Sequence, residues 1–232
     1  METARAWLEG DGRLPVEVFA CLAAHESFGA VQVWRAEPEV KLFFDNLGGE
    51  PRNSDLVVHA RDSLGAYLIA VEAKADEPFG ETVADALAAA IERHLANDRS
   101  AGVKRIQQLA RALLGPRQKG DPPLKHIRYQ LLTACAGALC EAERCGYDRT
   151  VLLIHEFVTD KTTNRKLEAN KKDLNRFVKR LSHGLTTGLD SGELAGPFFV
   201  PGRPLVSDRI ALFIGKASRD VRNDRTHQER QG

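Results

Sequence analysis

Two short apolar runs set only five residues apart constrain this chain more than any other feature: Asp55–Ala60 (DLVVHA) and Ala66–Ala75 (AYLIAVEAKA), divided by Arg61–Gly65. Runs of that length rich in Val, Leu, Ile and Tyr suit strands, and a divider holding Asp, Ser and Gly suits a tight reversal. The pair predicts a β-hairpin.

Elements of both kinds surround it. A helix is predicted from Pro15 to about Glu26, where Pro suits a first turn and Val16, Phe19, Ala20 and Ala23 recur at helical spacing. Val31, Val33 and Val40–Phe44 have strand composition, and Gly48–Asn53 is a turn-rich break. Helical spacing returns over Glu81–Asn97 and Gly102–Leu114, followed by a loop, Gly115–Pro123, that holds three Pro and two Gly. Leu124–Cys145 reads as the longest helix of the chain, stopped at Gly146. Thr150–Phe157 (TVLLIHEF) is the compact apolar run of a strand buried at the sheet centre. Lys166–Leu181 reads as an amphipathic basic helix, Gly184–Pro204 as an irregular Gly/Pro-rich loop and Arg209–Gly215 as the last strand. The segment 217–232 is polar and is expected to be a flexible tail.

With 232 residues, 43% of them hydrophobic and 28% charged, the chain has the length and composition of a single α/β domain over 1–216, not of a disordered polymer. Cys21, Cys135, Cys140 and Cys145 lack the paired short spacings of a zinc site and are expected to be reduced. Charge throughout Met1–Gly12 is unlike a signal peptide, and no apolar run reaches membrane-spanning length, so a cytoplasmic protein is expected. The net charge of +1 hides one imbalance: Lys161–Arg180 holds eight Lys/Arg against Glu168 and Asp173. Such a stretch suits either a polyanionic partner or a solvated helix face.

Chemistry enters where the hairpin's apolar pattern breaks. Alternation sets Glu72 and Lys74 on one strand face, and antiparallel pairing brings Asp55 to the same edge. Two carboxylates and an ammonium beside apolar strands are costly unless paired or bound to a cation. Mg²⁺ prefers oxygen ligands, often one or two carboxylates with waters and a substrate phosphate, and a neighbouring Lys can position the attacking water. These residue types match phosphodiester hydrolysis.

Asp55 on one strand and Glu72-Ala73-Lys74 on the next resemble the signature of the PD-(D/E)xK nuclease superfamily, with Ser54 where that signature has Pro. The resemblance spans roughly Pro15–Phe157 and implies a restriction-endonuclease-like α/β core, a central mixed β-sheet flanked by helices. It further implies that Asp55 and Glu72 ligate Mg²⁺ (Mn²⁺ as a substitute), that the Ala73 carbonyl adds a ligand, and that Lys74 assists the water. The implied activity is that of a hydrolase cutting DNA, RNA not being excluded, in restriction, defence or repair. A homodimer would supply the two sites needed to cut both strands. The alternative is a catalytically silent member of the fold that binds nucleic acid or serves in an assembly.

Secondary candidates join these residues. Glu17 in the first helix, with Glu26 as its competitor, matches an acidic residue that the family often adds, and Gln130 matches a polar residue some members direct at the site. Arg128, Lys166, Lys171, Lys172, Arg176, Lys179 and Arg180 are candidates for phosphate contact, and Asn170 and Asn175 for base contact. His59 and His155 are expected to be structural.

Overall fold

Alternation along the central strands fixes the architecture, because residues of odd and even number on β3 are buried against different partners. The computed structural model describes residues 6–7, 13–48 and 50–222. In chain order the elements are α1 (Val16–Ala23), β1 (Val33–Leu42), β2 (Arg52–Asp62), β3 (Gly65–Lys74), α2 (Val83–Ala96), α3 (Gly102–Leu114), α4 (Tyr129–Arg144), β4 (Arg149–Val158), α5 (Asn164–Leu181), β5 (Leu194–Phe198) and β6 (Ala211–Asp220). They form one six-stranded mixed sheet in the order β1-β2-β3-β4-β6-β5. The first three strands are an antiparallel meander, β3, β4 and β6 run parallel, and β5 returns antiparallel at the edge.

Helices cover both faces. Leu68, Ala70, Leu152 and Ile154 pack with α2 to α5, whereas Ile69, Val71, Val151 and Leu153 pack with Val18, Cys21 and Leu22 of α1. Both faces of β4 are thus occupied, which explains why its sequence is almost continuously apolar and why every residue but Val158 is buried. Small residues bring α4 close to the sheet: a Cβ added at Gly137 would lie 3.0 Å from Cβ of Leu42. Thr82 and Asp85 cap α2 reciprocally, with the Thr82 side chain accepting from the Asp85 N–H and the Asp85 carboxylate accepting from the Thr82 N–H.

Four sequence expectations are corrected. Leu124–Cys145 is not one helix, because Ile127 and Arg128 are extended and pair with the entry to α2: Val83 N–H donates to Ile127 O at 2.8 Å and Tyr129 N–H to Glu81 O at 3.0 Å. A short 3₁₀ turn, Leu124–His126, precedes that break, and the longest described helix is the 18-residue α5. The Gly/Pro-rich stretch contains β5, which pairs with β6 around a register shift. The last strand runs on to Asp220, since Glu156 and Val158 of β4 provide backbone partners for Ser218 and Asp220. Positions 223–232 of the expected tail lie outside the described residues. Among the described residues no helix is long and apolar enough to cross a membrane, and all four cysteines are free thiols.

Candidate active site

The β2–β3 register pairs Leu56 with Val71; one step further, the Asp55 carboxylate reaches across to accept a hydrogen bond from the Ala73 N–H at 2.8 Å. Glu72 is 2% exposed and Lys74 4%, and both face the helical layer that contains α4. Lys74 Nζ lies 3.0 Å from Oε1 of Glu72 and 3.9 Å from Oε1 of Glu77. Gln130, in the first turn of α4, donates its amide N–H to the same Glu72 oxygen at 2.5 Å. Arg52, at the start of β2, pairs with the other oxygen. Asp55, Glu72, Lys74 and Gln130 are therefore brought together.

Burial strips water from this carboxylate, and Arg52, Lys74 and Gln130 replace it as donors. Burial pushes the Lys74 ammonium below the usual lysine range, with Glu77 and Asp55 opposing that shift. Burial likewise lowers Arg52, opposed by Asp55. Two polar atoms at the cluster, Oε1 of Gln130 and Nε of Arg52, are buried without a hydrogen-bond partner. Unmet groups at such depth are uncommon and costly.

The polar strip continues along the same sheet face. Lys74 is paired in register with Glu156 of β4, whose carboxylate meets Lys216 Nζ at 3.1 Å and Ser218 Oγ at 3.2 Å. Sequence reasoning missed Arg52, Glu156 and Lys216. Lys216 had a signal, a single cation inside the apolar run ALFIGKA; Arg52 had none, since strand alternation from Asp55 does not select it.

Glu17 is placed elsewhere. It lies on the α1 side of the sheet, where its Oε1 is 3.0 Å from Nε2 of the fully buried His155. The Trp7 indole N–H donates to Nδ1 of that ring at 3.2 Å, so in the neutral ring the proton sits on Nε2 and is donated to Glu17. Burial opposes ionisation of Glu17, but the bond from His155, a backbone bond and nearby positive charge together outweigh it and hold the pKa below the usual glutamate range. The sheet separates this dyad from Glu72. His59, on the Asp55 side, contacts the Tyr147 hydroxyl at 3.3 Å.

Part of the basic tract is taken up in ion pairs, with Asp173 of α5 itself and with carboxylates of other elements. Arg180 is 3% exposed and bonded to Asp121 and to the Leu114 and Gly115 carbonyls. Arg176 and Arg128 share Asp173, Lys171 pairs with Asp190 and Lys166 lies 3.7 Å from Asp76. Asn170 donates to the Glu77 carbonyl and Asn175 accepts from the Leu189 N–H. Lys172 remains exposed and Lys179 half-buried.

As to a metal, among the described residues no group of three or more His, Cys, Asp or Glu side chains is placed to hold one. An ion here would have Asp55 and Glu72 as its acidic ligands and would draw the rest from main chain, water and substrate, the usual manner for Mg²⁺. The orphaned Gln130 Oε1 beside Glu72 is an acceptor suited to a metal-bound water. The donor set fits the ion provided that Arg52 leaves Glu72.

Fold and site together define an α/β protein with a buried carboxylate–lysine cluster on the central strands of a mixed sheet. The chain belongs to the family described as domain of unknown function DUF6946, which matches residues 1–221. No curated protein and no solved structure matches it significantly.

Proposed function

We propose that this protein is a metal-dependent nuclease of the PD-(D/E)xK type that hydrolyses phosphodiester bonds in DNA. One observation carries the reading: Asp55, Glu72 and Lys74 share a sheet face on adjacent strands, with Gln130 bonded to Glu72 at 2.5 Å. The order helix, three-stranded meander, helices and a strand parallel to β3 supports it, being similar to that superfamily's core. Four free thiols accord with a cytoplasmic location.

Asp55 and Glu72 would hold Mg²⁺, with the Ala73 carbonyl as a further ligand. When bound, the ion polarises a phosphoryl oxygen and acidifies water. Gln130 orients the Glu72 carboxylate through its amide N–H. Lys74 Nζ, 3.0 Å from Glu72, would position the attacking water and offset the negative charge that builds on the phosphate as the P–O bond breaks. A homodimer would supply a second site for the opposite strand.

Plasmid incubated with the protein and Mg²⁺ should be nicked or cut. Lys74→Ala should slow this by about 10²–10⁴-fold while the circular-dichroism spectrum stays unchanged, and Asp55→Asn should do the same. Equal activity in both variants refutes the mechanism.

A second reading, a silent nucleic-acid-binding or assembly subunit, is favoured by the Arg52–Glu72 ion pair, which occupies an acidic ligand with a resident cation. Salt-dependent DNA binding without cleavage in Mg²⁺ or Mn²⁺ would support it.

A further inference from the structure

With Lys166, Lys171, Arg176 and Arg180 of α5 engaged by carboxylates, the junction of α2 and α3 is a second candidate for holding a polyanion. Where α2 ends and α3 begins, a cleft of about 600 Å³ is lined by Arg93, Arg99 and Arg105 together with Asn97, Ser100 and Gly102. Among the described residues no carboxylate side chain lines it. The segment 93–105 carries Arg93, Arg99, Lys104 and Arg105 against Asp98 alone.

The three arginines are not equivalent. Arg105 is anchored, its Nε 2.7 Å from Oδ2 of Asp45 and its Nη2 3.1 Å from Oδ1, and it is 18% exposed. Arg93 and Arg99 are exposed and, among the described residues, form no ion pair. Arg93 also stands against the start of α3, since a Cβ added at Gly102 would lie 3.7 Å from its Nη2. That start has no acidic residue in its first turn and no side-chain cap. Guanidinium groups gathered beside a helix start, itself a partial positive charge, repel one another until an anion joins them.

The cleft adjoins the candidate active site through the chain. Arg105 Nη1 donates to the Glu50 carbonyl at 3.5 Å, and two residues further along Arg52 reaches Glu72. The cleft is far larger than a single phosphate, and Leu47 and Gly48 in its lining belong to the β1–β2 loop that leads into Arg52.

We infer that this cleft binds the phosphodiester backbone of the nucleic-acid strand, with Arg93 and Arg99 contacting successive phosphates while Arg105 fixes the floor. The inference rests on the nuclease reading for its ligand, and it assigns strand binding to the α2–α3 junction instead of α5.

The test is equilibrium binding of a fluorescent DNA duplex to the full chain in EDTA, across a salt series. Replacing both exposed arginines (Arg93→Ala with Arg99→Ala) should weaken binding and reduce the slope of log K against log salt by about 2, roughly 0.9 for each lost phosphate contact. Arg165→Ala with Lys172→Ala on α5 should leave slope and affinity unchanged. Inorganic phosphate should compete only weakly, because it spans one contact. The inference is overturned if the Arg93/Arg99 variant binds like the parent, if the α5 variant is the one that weakens, if free phosphate displaces the duplex at equimolar phosphate groups, or if the parent does not bind DNA. Cleavage by Lys74→Ala reports separately on the active-site reading: an inert parent whose DNA binding depends on Arg93 and Arg99 keeps this inference and loses that one.

Discussion

Asp62→Ala should be among the most destabilising single changes available outside the active site. Asp62 ends β2 with a fully buried side chain, and Arg149, which opens β4, is 10% exposed. Arg149 Nη2 and Nη1 donate to Oδ1 and Oδ2 at 2.9 and 3.2 Å, Nη2 also donates to the Gly65 carbonyl, and the guanidinium lies 5.0 Å from the Tyr67 ring centre. The N–H groups of Gly29 and Leu64 donate to the same carboxylate. Removing it leaves the buried guanidinium with only the exposed Asp148 carboxylate, 3.8 Å from its Nε, as counter-charge and leaves two N–H groups unmet, a loss of about 3–5 kcal/mol. For a domain of this length that is a fall in Tm of roughly 6–20 °C at pH 7, read by calorimetry. Asp62→Leu combined with Arg149→Met should recover most of the loss, because no uncompensated charge remains. Burial raises the Asp62 pKa, but the bonds from Arg149, Gly29 and Leu64 outweigh it and hold the folded value below the ordinary one. Its stabilisation is therefore complete above the unfolded pKa of about 3.9 and disappears as pH falls through the folded value. The gap between parent and Asp62→Ala should close only in that acid window. A single variant within about 1 kcal/mol of the parent, or a double variant weaker than the single, refutes the reasoning.

Glu17→Gln should leave plasmid cleavage unchanged while lowering Tm, since Glu17 serves His155 on the face away from Glu72; a loss of rate at full stability would return Glu17 to the site. Gly137→Ala should destabilise by about 1–3 kcal/mol, because the added Cβ would sit 3.0 Å from Cβ and 3.2 Å from Cδ1 of Leu42. A neutral result in urea unfolding would show that α4 can move off β1.

Legibility from sequence followed locality. The hairpin, the buried strand β4 and the helix Gly102–Leu114 were readable because period and composition alone specify them. The break at Ile127–Arg128 was not, since it is made by pairing with residues 81–83, more than forty positions earlier. The same holds for β5 and the end of β6, which take their regularity from strand partners supplied by the fold. At the site, Asp55, Glu72 and Lys74 stood out as charges interrupting apolar strands. Lys166–Arg180 looked like a wholly uncovered cationic face because Asp76, Asp190 and Asp121, which pair with its Lys166, Lys171 and Arg180, lie outside that segment.

The position of β3 within the sheet bears on how the protein would lose function. Strand margins and helix ends open first in native-state fluctuations, whereas interior strands exchange their amide hydrogens only when the entire domain comes apart. Glu72 and Lys74 close β3, paired with β4 through Lys74 and with β2 as far as Val71. Fraying at β1 or β5 would leave their spacing untouched, so thermal inactivation should coincide with global melting and not precede it.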